Sequence, residues 1–171
     1  CMQAPVPVSE LKARLDRFRD LMDRENPSWE LSAIFGRVNQ YYFTGTMQDG
    51  LLLVPRDGEA VLWVRRSFER ACAESLFPAI RPMNSFRDAA KAMQHPAGIV
   101  HLETEIVPLA LHQRFLKYCP AHKTGALDLQ VTKIRSVKSA YELDLMEKAG
   151  RIHRHVLEDA IPGMLATGMS E

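Results

Sequence analysis

The sequence predicts an α/β layered fold, and three observations carry that prediction. Short apolar runs of strand length alternate along the chain with amphipathic segments of helical period. Two of those runs, residues 51–54 and 60–64, flank Arg56-Asp57-Gly58-Glu59, a hairpin signal that makes at least one strand pair antiparallel. The composition, 46% hydrophobic and 25% charged over 171 residues, is enough to bury a core and argues against disorder.

Taken in order, residues 8–26 place Leu11, Leu15, Phe18, Leu21 and Met22 at helical spacing, with Lys12, Arg14, Asp16 and Arg17 between them. A first helix with one buried face follows, and Ser9 is its expected N-cap. Pro27 punctuates, and residues 31–35 read as a short buried strand. Residues 41–43 form an apolar patch in the loop after that strand, and the hairpin comes next. Helical period returns over residues 67–76. A strand at 79–81, a helix at 85–94 and a strand at 98–102 follow. Pro108 then suits the first position of a helix reaching about residue 118, because its missing N–H would be unsatisfied there anyway. Residues 124–127 supply one more short strand. There is no internal repeat and no low-complexity stretch.

The end of the chain has a different character. Ser139-Ala140-Tyr141-Glu142 is a capping box, in which serine and glutamate each satisfy a free backbone donor of the other. It opens a helix of about twenty residues in which Leu145, Met146, Ala149, Ile152 and Val156 form an apolar stripe. Pro162 and Gly163 are expected to stop it. Gly168-Met169-Ser170-Glu171 then reads as the start of another helix capped by Ser170, so the expectation is one piece of a longer protein.

Charge and cysteine content narrow the function classes. A formal net charge of +1, from 22 basic and 21 acidic residues, offers no global attraction to nucleic acid or to an anionic membrane surface. Cys1, Cys72 and Cys119 are odd in number and lack CxxC spacing, which favours buried thiols in a reducing compartment over a disulfide framework or a zinc site. Cys1 directly precedes Met2, a candidate natural start. No apolar run approaches the roughly 20 residues needed to span a bilayer, and no signal peptide is visible, so the expected location is cytoplasmic.

Candidate chemical constellations weigh lightly. His101, Glu103 and Glu105 alternate and would share one face of a strand, as a metal site requires, yet polar residues at a strand end are ordinarily solvated. His153 and His155 point about 200° apart on a helix and cannot chelate one ion unaided. Gly45 and Gly50 have phosphate-loop spacing, but Leu51 and Leu52 occupy the positions that need lysine and serine or threonine. No GxGxxG, GxSxG or HExxH occurs, and Arg65-Arg66 and residues 133–138 read as helix faces rather than a nucleic-acid track. The residues alone support an α/β domain without a catalytic set.

Asn39-Gln40-Tyr41-Tyr42-Phe43-Thr44-Gly45 resembles the Asn-x-x-Tyr-Leu/Phe-Thr/Ser-Gly signature of the amino-terminal domain of the creatinase, prolidase and aminopeptidase P (pita-bread metallopeptidase) family. Residues 134–142, Ile-Arg-Ser-Val-Lys-Ser-Ala-Tyr-Glu, resemble that family's interdomain linker. Leu145-Met146-Glu147-Lys148-Ala149 is similar to the helix that opens its catalytic domain, and Gly168-Met169-Ser170-Glu171 to the start of the second helix there. The four motifs stand in family order across nearly the whole chain.

The resemblance implies a mixed sheet flanked by helices, related in shape to ribonuclease H. It divides the chain into an N-terminal domain at residues 1–132 and, at 133–171, the linker and first helix of a catalytic domain. No catalytic residue and no metal ligand is then expected here. Two divalent ions, manganese, cobalt or zinc, would sit in the catalytic domain and act on Xaa-Pro peptides. The domain's implied partners are its own catalytic domain, a second subunit in a homodimer, and the proline-containing peptide whose entrance it shapes. Asn39, Tyr42 and Gly45 are placed at that entrance by resemblance. The alternatives are a stand-alone peptide or small-molecule binding module of the same fold, or the N-terminal domain of a metal-free creatinase-like amidinohydrolase.

Overall fold

The structure is a computed structural model describing residues 4–92, 99–121, 123–165 and 167–169. Contacts divide the chain into two compact units, Cys1–Ile134 and Arg135–Glu171. The expected division at 132/133 falls inside a helix, Asp128–Ser136.

The first unit is built on a six-stranded mixed sheet. Its strands are β1 (Trp29–Ile34), β2 (Gly50–Pro55), β3 (Val61–Val64), β4 (Ile80–Pro82), β5 (Ile99–Leu102) and β6 (Lys123–Ala126), in the spatial order β4-β3-β2-β1-β5-β6. β1, β2 and β3 pair antiparallel, with Ile34 opposite Leu52 and Leu51 opposite Trp63. The β1–β5, β5–β6 and β3–β4 pairs are parallel. The Asp57-Gly58 turn joins β2 to β3, and Gly58 has φ 106°, a left-handed value that a side chain would strain.

Helices α1 (Val8–Glu25), α2 (Arg37–Thr44), α3 (Phe68–Glu74), α4 (Phe86–Ala92), α5 (Leu109–Tyr118) and α6 (Asp128–Ser136) connect and cover these strands. One core joins Leu31, Leu53, Trp63, Val100 and Leu102 of the sheet to Ala89 of α4 and Phe115 of α5. Strand alternation turns Ile34, Leu52 and Leu62 to the opposite face. Phe18 of α1, fully buried, packs edge-on against Trp29 and Phe43 at centroid distances of 6.2 and 5.3 Å.

The structure corrects several expectations. α1 is capped by Pro7, whose carbonyl accepts from Leu11, so Ser9 lies inside the helix. Residues 41–43, expected in the loop after the first strand, lie within α2. Pro108 is the N-cap of α5, with extended ψ 144°, and not its first helical residue. Arg65-Arg66 lies in the turn after β3, not on a helix face. Residues 85–94 are helical over α4, with Met93 and Gln94 outside the described residues, as are Gly98 and the proposed cap Ser170.

The second unit is helical. α7 (Ala140–His155) carries the expected capping box, with Ser139 Oγ accepting from Glu142 N at 3.2 Å and Glu142 accepting from Ser139 N at 2.8 Å. Pro162 does not stop the run. A π-helical turn, Val156–Ala160, follows α7, and α8 (Ile161–Met164) continues from it. Pro162 is the second residue of α8 and follows directly on the π-helical turn. Among the described residues no helix is long and apolar enough to cross a membrane.

Candidate functional site

α2 concentrates the sequence signature, and its residue types are poor helix formers. Val38, Tyr41, Tyr42, Phe43 and Thr44 are β-branched or aromatic, so propensity alone does not hold these eight residues helical. Contacts from distant parts of the first unit do.

At its start, Gly36 is the N-cap and offers no side-chain oxygen. The carboxylate of Glu103, directly after β5, does this work. Glu103 Oε2 accepts from Phe35 N at 2.6 Å and Gly36 N at 2.7 Å, and Oε1 accepts from Asn39 Nδ2 at 2.5 Å. A negative charge at a helix N-terminus also meets the positive end of the helix dipole. Glu103 is 1% exposed, which corrects the expectation of a solvated strand end. His101 is buried as well, whereas Glu105 is exposed in the turn beyond, so the three do not share a solvent-facing edge. Among the described residues no group of three or more His, Cys, Asp or Glu side chains is placed to hold a metal ion.

Gln40 and Tyr42 tie α2 to further elements. Gln40 Nε2 donates to the carbonyls of Ile34, Phe35 and Gly50, clamping the end of β1 to the start of β2. Tyr42 is buried. Its hydroxyl accepts from Arg17 at 3.2 Å and donates to the Ile134 carbonyl at 3.4 Å, while Arg14 stacks on its ring at 4.4 Å and donates to its carbonyl at 2.7 Å. Arg14, 4% exposed, is further neutralised by Glu10 at 2.8 Å. A buried cation needs such partners. Tyr42 thus joins α1, α2 and α6 at one point.

At the end of α2, Gly45 takes the left-handed conformation at φ 77° and donates its N–H to the Tyr41 carbonyl. Ser75 donates to the Thr44 carbonyl, and Thr46 donates to Glu74 at 2.5 Å. Burial raises the Glu74 carboxyl, but hydrogen bonds from Thr46 and Gln48, with Arg70 nearby, outweigh that and hold it below the usual carboxylate value.

Asn39, Tyr42 and Gly45 therefore lie along one short helix, Asn39 half-buried and the other two buried. Sequence reading missed Glu103 and Arg14 as their partners. The His101-x-Glu103-x-Glu105 alternation drew attention to Glu103, but nothing local reveals that one of the N–H groups donating to it lies 67 residues away on Gly36.

Two thiols among the described residues differ in access. Cys72 is exposed, while Cys119 is buried and its pKa is pushed up to about 11 by that burial. The Cys119 thiol is thus the opposite of an activated one.

The Creatinase/Prolidase N-terminal domain model matches residues 14–137. No curated protein matches the sequence. Among solved structures, the chain is similar to the prolidase from Pyrococcus horikoshii OT3, with TM-score 0.76 and 22% identity over 93% of this chain and 45% of that one. It is similar to the Xaa-Pro dipeptidase from Bacillus anthracis, with TM-score 0.78 and 17% identity over 94% of this chain and 45% of the other. The creatinase/prolidase N-terminal domain of an X-Pro dipeptidase from Streptococcus pyogenes matches with TM-score 0.60 and 20% identity, over 71% of this chain and 98% of that one. The chain thus spans less than half the length of the first two relatives.

Proposed function

We propose, from the premise that this chain belongs to the creatinase/prolidase N-terminal domain family, that it serves as the non-catalytic domain of an Xaa-Pro peptidase. The observation that supports this reading most is the match over residues 14–137, with the signature helix α2 tied into the sheet and a capped helix following after residue 135. The coverage of 45% of the prolidase and of the Xaa-Pro dipeptidase supports a longer parent whose remaining part carries the chemistry.

In this reading residues 1–132 form the domain, and residues 133–171 lead into the catalytic one. Two divalent ions, manganese, cobalt or zinc, belong to that catalytic domain and supply an activated water for amide hydrolysis. The N-terminal domain contributes to a homodimer and shapes the entrance for a proline-containing peptide. Asn39, Tyr42 and Gly45 act there by fixing the path of α2 rather than by touching reacting atoms. Asn39 sets the helix start through Glu103, Tyr42 ties it to α1 and α6, and Gly45 sets the exit. The location is cytoplasmic.

The test assays the full-length protein and the 171-residue chain side by side on Xaa-Pro dipeptides and longer Xaa-Pro peptides, with and without manganese. Metal-dependent cleavage by the full-length protein alone is the expected result. Cleavage by the 171-residue chain after control for contamination, or a gene that ends near Glu171, would overturn the reading. Metal-independent hydrolysis of creatine would transfer it to the amidinohydrolase branch.

A further inference from the structure

On the side of the sheet covered by α4 and α5, a cavity of about 500 Å³ is not filled by the protein's own side chains. That volume is typical of small-molecule sites. It lies wholly within the first unit, and its two walls have opposite chemistry.

One wall is aromatic. Phe35 and Phe86 stand edge to face at 6.1 Å, and each makes the same contact with buried Phe115, at 5.5 and 5.7 Å. Phe115 is fully buried, but Phe35 and Phe86 are only partly so, and both line the cavity beside buried Met83. The other wall is cationic. Leu111, Arg114 and Lys117 follow at intervals of three on α5 and so present one face to the cavity. Arg114 and Lys117 have no carboxylate partner among the described residues, and Lys117 Nζ lies 5.7 Å from the Tyr118 ring centre.

The other charge on the lining, Arg65 with Asp49, and the neighbouring carboxylate Asp88 are already matched. Arg65 lies on Asp49 through Nε at 3.0 Å and Nη2 at 2.8 Å. Asp88 accepts from the backbone of Asn84 and Ser85 at 2.8 and 3.1 Å and is committed to starting α4. Among the residues that line the cavity, the unmatched positive charge is therefore that of Arg114 and Lys117, beside partly buried aromatic surface, with Arg87 over the outer Tyr118 ring at 5.6 Å.

We propose that this cavity binds a small amphipathic anion, with an aromatic-sized apolar body on Phe35, Met83 and Phe86 and a single oxyanion head between Arg114 and Lys117. Two cations one helical turn apart can converge on one head group, and a guanidinium can engage it through two parallel N–H bonds. The apolar body supplies surface burial that neither cation can.

The test uses 3-phenylpropionate as probe, followed by calorimetry and by backbone amide shifts. Saturable binding is expected with a Kd of about a millimolar or tighter, as befits a ligand of this size. The shifted amides should map to α5 and to the start of α4. The neutral 3-phenylpropionamide and inorganic phosphate should each bind at least roughly tenfold more weakly, since each lacks one half of the recognition. Arg114→Gln with Lys117→Gln should cost a similar factor; both side chains are exposed, so the fold is retained. Phe86→Ala should weaken the probe as well. Equal binding of the amide would reduce the site to an apolar hollow, and equal binding of phosphate would reduce it to a surface cation pair. Either result overturns the proposal, as does affinity unmoved by the double substitution or the absence of saturation.

Discussion

Helix α1 buries Leu11, Arg14, Leu15, Phe18, Leu21 and Met22 among its eighteen residues, whereas α7 buries none of its sixteen. Both carry apolar residues at helical spacing, and both are amphipathic. α1 meets α2 and the sheet edge-on through Phe18, but Met146 and Ile152 of α7, and Val156 directly after it, remain 56%, 67% and 40% exposed. An apolar stripe specifies that a helix needs a neighbour; it does not supply one. The difference also explains why α7 depends on local devices. Its capping box and its i,i+4 pairs, Lys148 with Asp144 and Arg154 with Glu158, are the stabilisers available to a helix without a buried face.

The strongest way to break that comparison is to truncate one side chain from each stripe. Phe18→Ala removes a fully buried ring in contact with two others and should destabilise the first unit by about 3–5 kcal/mol in urea unfolding. Ile152→Ala should change stability by no more than about 0.5 kcal/mol, as exposed substitutions do. Comparable losses for both would mean that the α7 stripe is buried in solution. In the longer protein proposed above, Ile152→Ala should become costly, and that rise would report the stripe being covered there.

Glu103 gives the next largest effect. Glu103→Ala strands the N–H groups of Phe35 and Gly36 and the Asn39 amide in a buried site, at about 1.5–3 kcal/mol. Asn39→Ala removes one of these bonds and should cost about 1 kcal/mol. Thermal unfolding of both variants, with the double variant, checks the pairing. A double-variant loss equal to the sum of the single losses would show that Asn39 does not work through Glu103.

On the other side of the comparison, Ser139→Ala should cost about 1 kcal/mol of α7 stability while the first unit keeps its unfolding midpoint. Helix content by far-UV circular dichroism and tryptophan fluorescence separate the two, since Trp29 and Trp63 both lie in the first unit. A fall in the fluorescence midpoint would show that the units unfold together.

How much was legible follows from where each signal resides. The hairpin, the buried face of α1 and the capping box of α7 are written in residues within a turn or two of one another, and they could be read from the sequence. α2 could not, because its aromatic and β-branched residues argue against a helix and the groups that impose it, Glu103, Arg14 and Ile134, arrive from distant positions. α6 was read only through its basic end, residues 133–138, as a helix face, because the short apolar set Val131 and Ile134, with Leu127 just before it, is too brief to display a period. Asn39, Tyr42 and Gly45 were found through their family pattern; the interactions they make needed the three-dimensional structure.

The smallest effect sharpens the comparison through histidines. His101 is 4% exposed on β5, its ring packed against Gly125, while His153 and His155 are exposed on α7. Burial lowers the His101 pKa from its ordinary 6.5, partly countered by a hydrogen bond with the Ile99 backbone. The unfolded chain therefore takes up this proton first as the pH falls. Stability from His101 is fully present above about pH 6.5 and declines below it until the folded state protonates too. Glu25, Glu74 and Asp88, whose pKa values are lowered from 4.5, 4.5 and 3.8, lose their contributions in a more acidic window. Urea midpoints measured between about pH 7 and pH 5 should thus fall with acidity in the parent chain, and His101→Gln should flatten that slope. A slope unmoved by His101→Gln would show that the buried ring on β5 does not set it.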